Sequence, residues 1–251
     1  MIMKYAILGD IHGNLEALEA VLAACRELGV EKYACIGDIV GYNANPKECL
    51  NLLRGLGDDL VGVVKGNHDE YVSNGKETLG FNPLAAAAVE WTREQLGPVD
   101  MEWLRTLPYK LHCALPRFGR FQLVHGTLDN PSGWGYIFDR FSAETCFQYQ
   151  TFSICFMGHT HVPLAFEKND LTITGGFYDS VLIGQNRKYL INVGSVGQPR
   201  DGDRRAAFAV FSPEEAIVRL YRVEYDIATT QQKIIDAGLP PRLADRLAVG
   251  R

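Results

Sequence analysis

Three observations predict an α/β fold. Strand-like and helix-like stretches alternate over residues 5–69, five apolar runs each stop at a short motif rich in Gly, Asp and His, and residues 164–223 read as a series of strands. Apolar runs of four or five residues ended by Gly fit strands buried on both faces. In open α/β sheets, ligands bind outside the carboxyl ends of the strands, so motifs scattered over residues 9–161 can meet at one site.

Tyr5-Ala6-Ile7-Leu8 empties into Gly9-Asp10-Ile11-His12-Gly13-Asn14. Asn14 is placed to cap a helix, because Leu15, Leu18, Leu22 and Cys25 recur at helical spacing and Gly29 stands at a C-terminal stop. Tyr33-Ala34-Cys35-Ile36 leads into Gly37-Asp38-Ile39-Val40-Gly41-Tyr42, after which Asn45-Pro46 starts a second helix with a cap and a first-turn proline. Leu60-Val61-Gly62-Val63-Val64 then leads, past Lys65, into Gly66-Asn67-His68-Asp69.

Residues 71–107 read as a helical insertion: one helix opens at Asn82-Pro83 and stops at Gly97-Pro98, and Asp100 is expected to cap another ending before Pro108. Tyr109–Leu115 and Phe121–Val124 form strands around the turn Pro116-Arg117-Phe118-Gly119-Arg120. The second of these leads into His125-Gly126 and a Gly- and aromatic-rich loop, 129–136, of the kind that serves as a lid or a plain turn. Ile154-Cys155-Phe156-Met157 leads into Gly158-His159-Thr160-His161. Later strands are expected at Leu164–Phe166, Leu171–Thr174, Tyr189–Val193, Ala206–Phe211 and Ile217–Val223, followed by a helical tail from Asp226 to Arg251 broken at Pro240-Pro241. One domain over residues 1–251 is the expectation.

With 251 residues, 47% of them hydrophobic, the chain can bury a sizeable core. Its apolar stretches are strand-sized, short of the roughly 20 residues needed to cross a bilayer, and Met1-Ile2-Met3-Lys4 carries no signal-peptide pattern, so the expectation is a cytoplasmic protein. The six cysteines sit in or beside apolar segments with no C-x-x-C pair, and read as small buried hydrophobes. A net charge of −5 without any Lys/Arg run argues against membrane-surface and broad nucleic-acid binding. An anionic small-molecule substrate remains compatible with that charge, as does a homo-oligomer.

Asp10, His12, Asp38, Asn67, His125, His159 and His161 make a mixed oxygen and nitrogen set suited to two divalent transition-metal ions, whether Mn, Fe, Zn, Ni or Co. One ion takes Asp10, His12 and His161, a second takes Asn67, His125 and His159, and Asp38 bridges them. Such a bridge suits ions about 3.5–4 Å apart, a spacing that clamps both oxygens of an in-line displacement at phosphorus. Asp10 and Asp38 converging at strand ends would repel each other without cations between them. His68 directly follows Asn67, so its side chain points away from the metal and toward a substrate, placed to stabilise the phosphoryl group and protonate the leaving oxygen. Asp69 either orients that ring or caps a turn. His112, mid-strand with no motif beside it, is not expected at the site.

These motifs, in this order, resemble those of the calcineurin-like metallophosphoesterases. The resemblance implies a four-layer αββα sandwich of two mixed sheets flanked by helices, a dinuclear metal centre with a bridging hydroxide as nucleophile, and hydrolysis of phosphomonoesters or phosphodiesters. It carries the metal roles to the seven residues named above and the leaving-group role to His68. Within the family, Gly37–Pro46 and Asn192–Arg200 are similar to a prokaryotic phosphodiesterase-type group, with Asn43 in place of a glycine and Val193 in place of a proline. Ser/Thr protein phosphatases continue the second motif with Asp-Arg-Gly, where this chain has Gly41 and Tyr42. Arg200, after the Gly-rich strand exit 194–199, is expected to supply the missing phosphate grip, and Asn14 is expected as a further substrate contact. The leading expectation is thus a metal-dependent phosphoesterase acting on a small phosphate-ester substrate, a phosphodiester or nucleotide-like ester. The alternatives are a phosphoprotein phosphatase and a non-catalytic binding module, and the presence of His68 argues against the second.

Overall fold

Along β1 (Tyr5–Leu8), Tyr5 and Ile7 face one hydrophobic cluster while Ala6 and Leu8 face another, and all four are buried. That alternation across one strand is the signature of a sheet covered on both faces. The structure is a computed structural model and describes residues 3–116 and 118–251. The N-terminal reading at Met1 and Ile2, and Arg117 in the expected turn, lie outside the described residues.

The chain continues as α1 (Leu15–Glu27), β2 (Lys32–Cys35), α2 (Pro46–Gly55) and β3 (Leu60–Val63). Three helices follow, α3 (Asn67–Asn74), α4 (Pro83–Gln95) and α5 (Pro98–Thr106), then β4 (Lys110–Leu115) and β5 (Gly119–Val124). Next come α6 (Arg140–Tyr149), β6 (Ile154–Met157), β7 (Ala165–Lys168), β8 (Ile173–Gly176), β9 (Ser180–Leu182) and β10 (Lys188–Asn192). The chain closes with β11 (Ala206–Ser212), β12 (Ile217–Val223), α7 (Ile227–Asp236) and α8 (Pro241–Asp245).

The strands form two six-stranded mixed sheets, β3-β2-β1-β11-β12-β9 and β4-β5-β6-β10-β7-β8. Ile7, Ala34 and Ile36 from the first meet Phe121, Phe156 and Tyr189 from the second, and this buried layer is the core between the sheets. Phe121, Phe156 and Phe211 pack there with ring centroids 5.6–6.2 Å apart, the tilted and edge-on arrangement that aromatic rings favour. Outside the first sheet, Leu18, Val21 and Cys25 of α1 and Leu50 and Leu53 of α2 cover Ala6, Leu8 and Phe208. Outside the second, Ala143, Cys146 and Phe147 of α6 cover Cys155, Met157 and Leu190. The four layers expected from the resemblance are therefore present: helices, sheet, sheet, helix.

Several local readings change. Helix α3 begins on Asn67 itself, four residues before the stretch that reads as helical. Helix α6 and strand β9 have no counterpart among the expected elements, though Asp139 caps α6 by accepting from the N–H groups of Phe141 and Ser142. Asp100 is not the cap of α5 but its third residue, receiving the Gly97 N–H, and Asn45 makes no side-chain cap bond although α2 starts beside it. Asn14 and Asp226 do cap α1 and α7, accepting from Ala17 and Thr229. Among the described residues no helix is long and apolar enough to cross a membrane.

Candidate metal centre

Strands β1, β2 and β3 run parallel in one sheet, and β5 and β6 run parallel in the other. Their carboxyl ends come out on the same side, and the five motifs meet there. The two sheets are tied at this point by the His159 N–H, which donates to Oδ2 of Asp10 at 3.1 Å. Asp10, His12, Asp38, His159 and His161 all have φ between 50° and 68°, in the left-handed region. Each such residue costs about 1 kcal/mol or more, and strain of this kind persists where surrounding bonds over-determine the backbone. Here the His12 N–H bonds Asp38 O and the Asp10 N–H bonds Gly37 O, which lock the two loops together.

The side chains fall into the two groups the motifs predict. Asp10, His12, Asp38 and His161 bring one ligand atom each within 4.8 Å of one another, and Asp38, His125 and His159 do the same, with Asp38 common to both. Asn67 joins the second group, its Oδ1 lying 3.2 Å from Nε2 of His125. All six of the Asp and His residues are buried.

Every histidine of the set is oriented by a main-chain carbonyl. His12 Nδ1 bonds Val40 O at 3.1 Å, His125 Nδ1 bonds Ile36 O at 2.9 Å, His161 Nδ1 bonds Gln198 O at 2.6 Å, and His159 Nε2 bonds Trp134 O at 2.9 Å. A carbonyl accepts only, so these nitrogens carry the proton and, in a neutral ring, the inner nitrogen presents a bare lone pair. Burial holds His12, His159 and His161 below the usual histidine pKa, hence neutral at pH 7. Nε2 of His12 then faces Nε2 of His161 at 3.1 Å, while Oδ1 of Asp10 lies 3.2 Å from His161 with no hydrogen-bond donor of its own. Lone pairs and carboxylates converging on one point repel unless a cation lies between them, so the residues present fit divalent metal ions. Burial alone would raise Asp38, but the charge of His125, whose own pKa that carboxylate raises to about 9 against the effect of burial, holds it well below the usual range; burial acts on Asp10 in the same way and is outweighed by His161, so that it too is lowered.

His68 stands just outside this set. Its N–H donates to Oδ1 of Asp38 at 2.9 Å, and its ring lies against Tyr42, with centroids 4.4 Å apart, and His12, at 4.8 Å. Burial pushes it down to about 4, and its buried Nδ1 has no hydrogen-bond partner. Gly41 makes room for it, since a Cβ there would sit 2.4 Å from that nitrogen. Gly66 does the same for Asp38, whose Oδ1 would lie 2.0 Å from an added Cβ.

Of the two roles open to Asp69, the geometry shows the capping one: its Oδ1 accepts from the N–H groups of Ile39 and Val40 and its Oδ2 from Gly66 at the start of α3, so it fixes the Asp38 loop to that helix and does not orient His68. Asn14, expected as a substrate contact, is fully buried, donating to Gly197 O and accepting from Ala17 and Thr230, and is not among the residues lining the cavity over the cluster. Arg200 does lie at the site, with its guanidinium carbon 5.5 Å from the Tyr42 ring centroid and its nitrogens on Gln198 Oε1. His112 is exposed and remote, beside Phe152.

Other residues here carry no individual role in the sequence reading. Ser195 Oγ donates to Asp10 O, Gln198 O orients His161, and Asn192 donates to Gly158 O, so the 192–200 segment braces both metal loops from behind. Tyr136 stacks on His159 with centroids 4.1 Å apart, making the 129–136 loop a wall of the site. Tyr42, His68, Phe81, Trp134 and Tyr136 help line a 250 Å³ cavity over the cluster.

The model of the calcineurin-like phosphoesterase superfamily domain matches residues 3–216. An uncharacterized protein of Methanocaldococcus jannaschii is 38% identical over 248 residues, covering 98% of each chain. The crystal structure of a metallophosphoesterase from Sphaerobacter thermophilus is 37% identical over the whole of both chains, with a TM-score of 0.84. A hypothetical protein from Pyrococcus horikoshii, 24% identical, shares the fold over 100% of this chain and 99% of its own, with a TM-score of 0.81. With its motifs, its two sheets and its paired Asp/His clusters in place, this chain belongs to the calcineurin-like phosphoesterase superfamily.

Proposed function

We propose that the protein is a dinuclear metal-dependent phosphoesterase that hydrolyses a phosphodiester or nucleotide-like phosphate ester. The observation that carries the reading is the set of carbonyl-oriented histidines whose inner nitrogens converge on two carboxylates. Two divalent ions, when bound, supply Lewis-acid polarisation of the phosphoryl oxygens and lower the pKa of water held there. Asp10, His12 and His161 would hold one ion and Asn67, His125 and His159 the other, with Asp38 common to both groups.

The residues around that centre divide the remaining work. His68 faces the cavity from beside Asp38 and hands a proton or a hydrogen bond to the leaving oxygen. A bound phosphate anion next to the ring offsets the burial that otherwise keeps it neutral. Arg200, held by Gln198 and the Tyr42 ring, binds a non-bridging phosphoryl oxygen. Tyr42 occupies the place where protein phosphatases carry an arginine, so the fixed charge suits a singly charged diester better than a dianionic monoester.

The test is hydrolysis of bis(p-nitrophenyl) phosphate by protein stripped with a chelator and reloaded with Mn, Zn, Ni, Co or Fe. Activity that vanishes on stripping and returns with metal supports the reading. Absence of hydrolysis with every metal rejects it in favour of a binding role.

A further inference from the structure

A second cavity, of 1010 Å³, opens between the start of α4 and the C-terminal turn, and Asn82 lines both it and the cavity over the metal cluster. Pro83 and Leu84 form its aliphatic wall, and Arg242, Arg246 and Arg251 face them. Asp245 is, among the described residues, the one acidic residue that lines it. Among the described residues, no ion pair joins Arg200, Arg242, Arg246 or Arg251 to a side-chain carboxylate, although other arginines are so paired. Burial, then the charges of Arg200 and Arg242, push the half-buried Arg246 down to about 10. Guanidinium groups crowded in this way repel one another and are stabilised by a shared anion.

The groove is also held rigidly against the metal site. Gly202, two residues past Arg200, donates its N–H to Gly250 O at 2.9 Å, and the Arg246 Nε donates to the Arg251 main-chain oxygen. Leu243, Ala244 and Leu247 pack in one cluster with Tyr42 and with Ala85 and Ala88 of α4. The guanidiniums are thus carried on backbone that shares its core with the floor of the catalytic cavity.

We infer that this groove binds a second phosphate of the substrate: the scissile phosphoryl group sits at the metal cluster, a distal phosphate sits on Arg242 and Arg246, and the organic group between them lies against Pro83 and Leu84. The inference rests on the phosphoesterase reading and narrows its substrate class to esters of nucleoside size carrying a further phosphate. A cavity of this volume is of the size that holds such ligands.

Two chromogenic diesters test it, thymidine 5′-(p-nitrophenyl phosphate) with and without a 3′-phosphate. The 3′-phosphorylated ester is expected to have a kcat/KM higher by roughly tenfold or more, mostly through KM, with the advantage shrinking as salt is raised. In the Arg242→Gln, Arg246→Gln double variant the ratio between the two esters falls to about twofold or less, a readout in which any general loss of activity cancels. Arg242 is exposed, so Arg242→Gln alone folds and gives an intermediate ratio. No preference in the wild type, or one that survives both substitutions, overturns the inference. If neither ester is cleaved with any metal, the phosphoesterase reading has failed. Calorimetric titration of metal-stripped protein with inorganic phosphate then decides the groove separately: binding that the double variant loses supports it, and no binding rejects it.

Discussion

Gly41 lies so close to His68 that a single methyl group added to it would stand 2.4 Å from the ring Nδ1, and its φ of 91° is one that other residues avoid. Protein phosphatases place an aspartate at this point of the motif; here the backbone itself fills the space beside the ring. Gly41→Ala is therefore expected to displace His68 while leaving the metal ligands alone. Turnover should fall roughly tenfold or more with metal content unchanged. Wild-type turnover in this variant would contradict the assigned position of the ring.

His68→Ala should lower turnover by roughly 10² or more, the size expected for losing a positioned acid, and should leave the metal complement near normal. The loss should be smaller on a p-nitrophenyl ester, whose leaving group needs no proton, than on an alkyl ester. An equal loss on both would assign His68 to binding the phosphoryl group.

Substrate charge gives a third expectation. With Tyr42 in place of an arginine, and the aromatic 129–136 loop walling the cavity, an aryl phosphodiester should show a higher kcat/KM than the matching monoester, and phosphoserine peptides should be poor substrates. All three are to be compared with the same metal loaded. Phosphoserine peptides emerging as the best of the three would move the protein to the phosphatase class.

The cysteines make a fourth. All six are buried, and burial pushes the thiols of Cys25, Cys113 and Cys146 up to about 12, with the others raised too. Native protein should thus resist labelling by a thiol reagent at pH 8 for hours, and all six thiols should react once it is unfolded in guanidinium chloride. Rapid labelling of the native state would show that at least one of these segments opens readily.

What is legible in the sequence follows from where the physics is local. A buried strand ending at Gly-Asp, Gly-His or His-Gly is a pattern within a few residues, so the amino-acid order alone places Asp10, Asp38, His125, His159 and His161 at or just past strand ends. The start of α3 is hidden because its cap is Gly66, whose missing side chain gives no capping signal, and because the proposed ligand Asn67 is itself the first helical residue. Strand β9 is three residues at a sheet edge, too short for an alternating pattern. The surroundings of Asp69 and Asn14 are not legible for another reason: which backbone groups a buried side chain meets depends on loops thirty to two hundred residues away, as with Ile39 and Gly197. The arginines at 242, 246 and 251 form no charge run, and their place along the second cavity follows from the packing of Leu243 and Leu247 in one cluster with Tyr42 and α4.

The central claim is that Asp38 is shared by two metal ions. Elemental analysis of metal-replete protein, after gel filtration, tests it most directly. The account predicts two ions per chain in the wild type, about one in Asp10→Asn, which weakens only the cluster with His12 and His161, and well below one in Asp38→Asn, which weakens both. One ion or none in the wild type, or equal losses in the two variants, would contradict it.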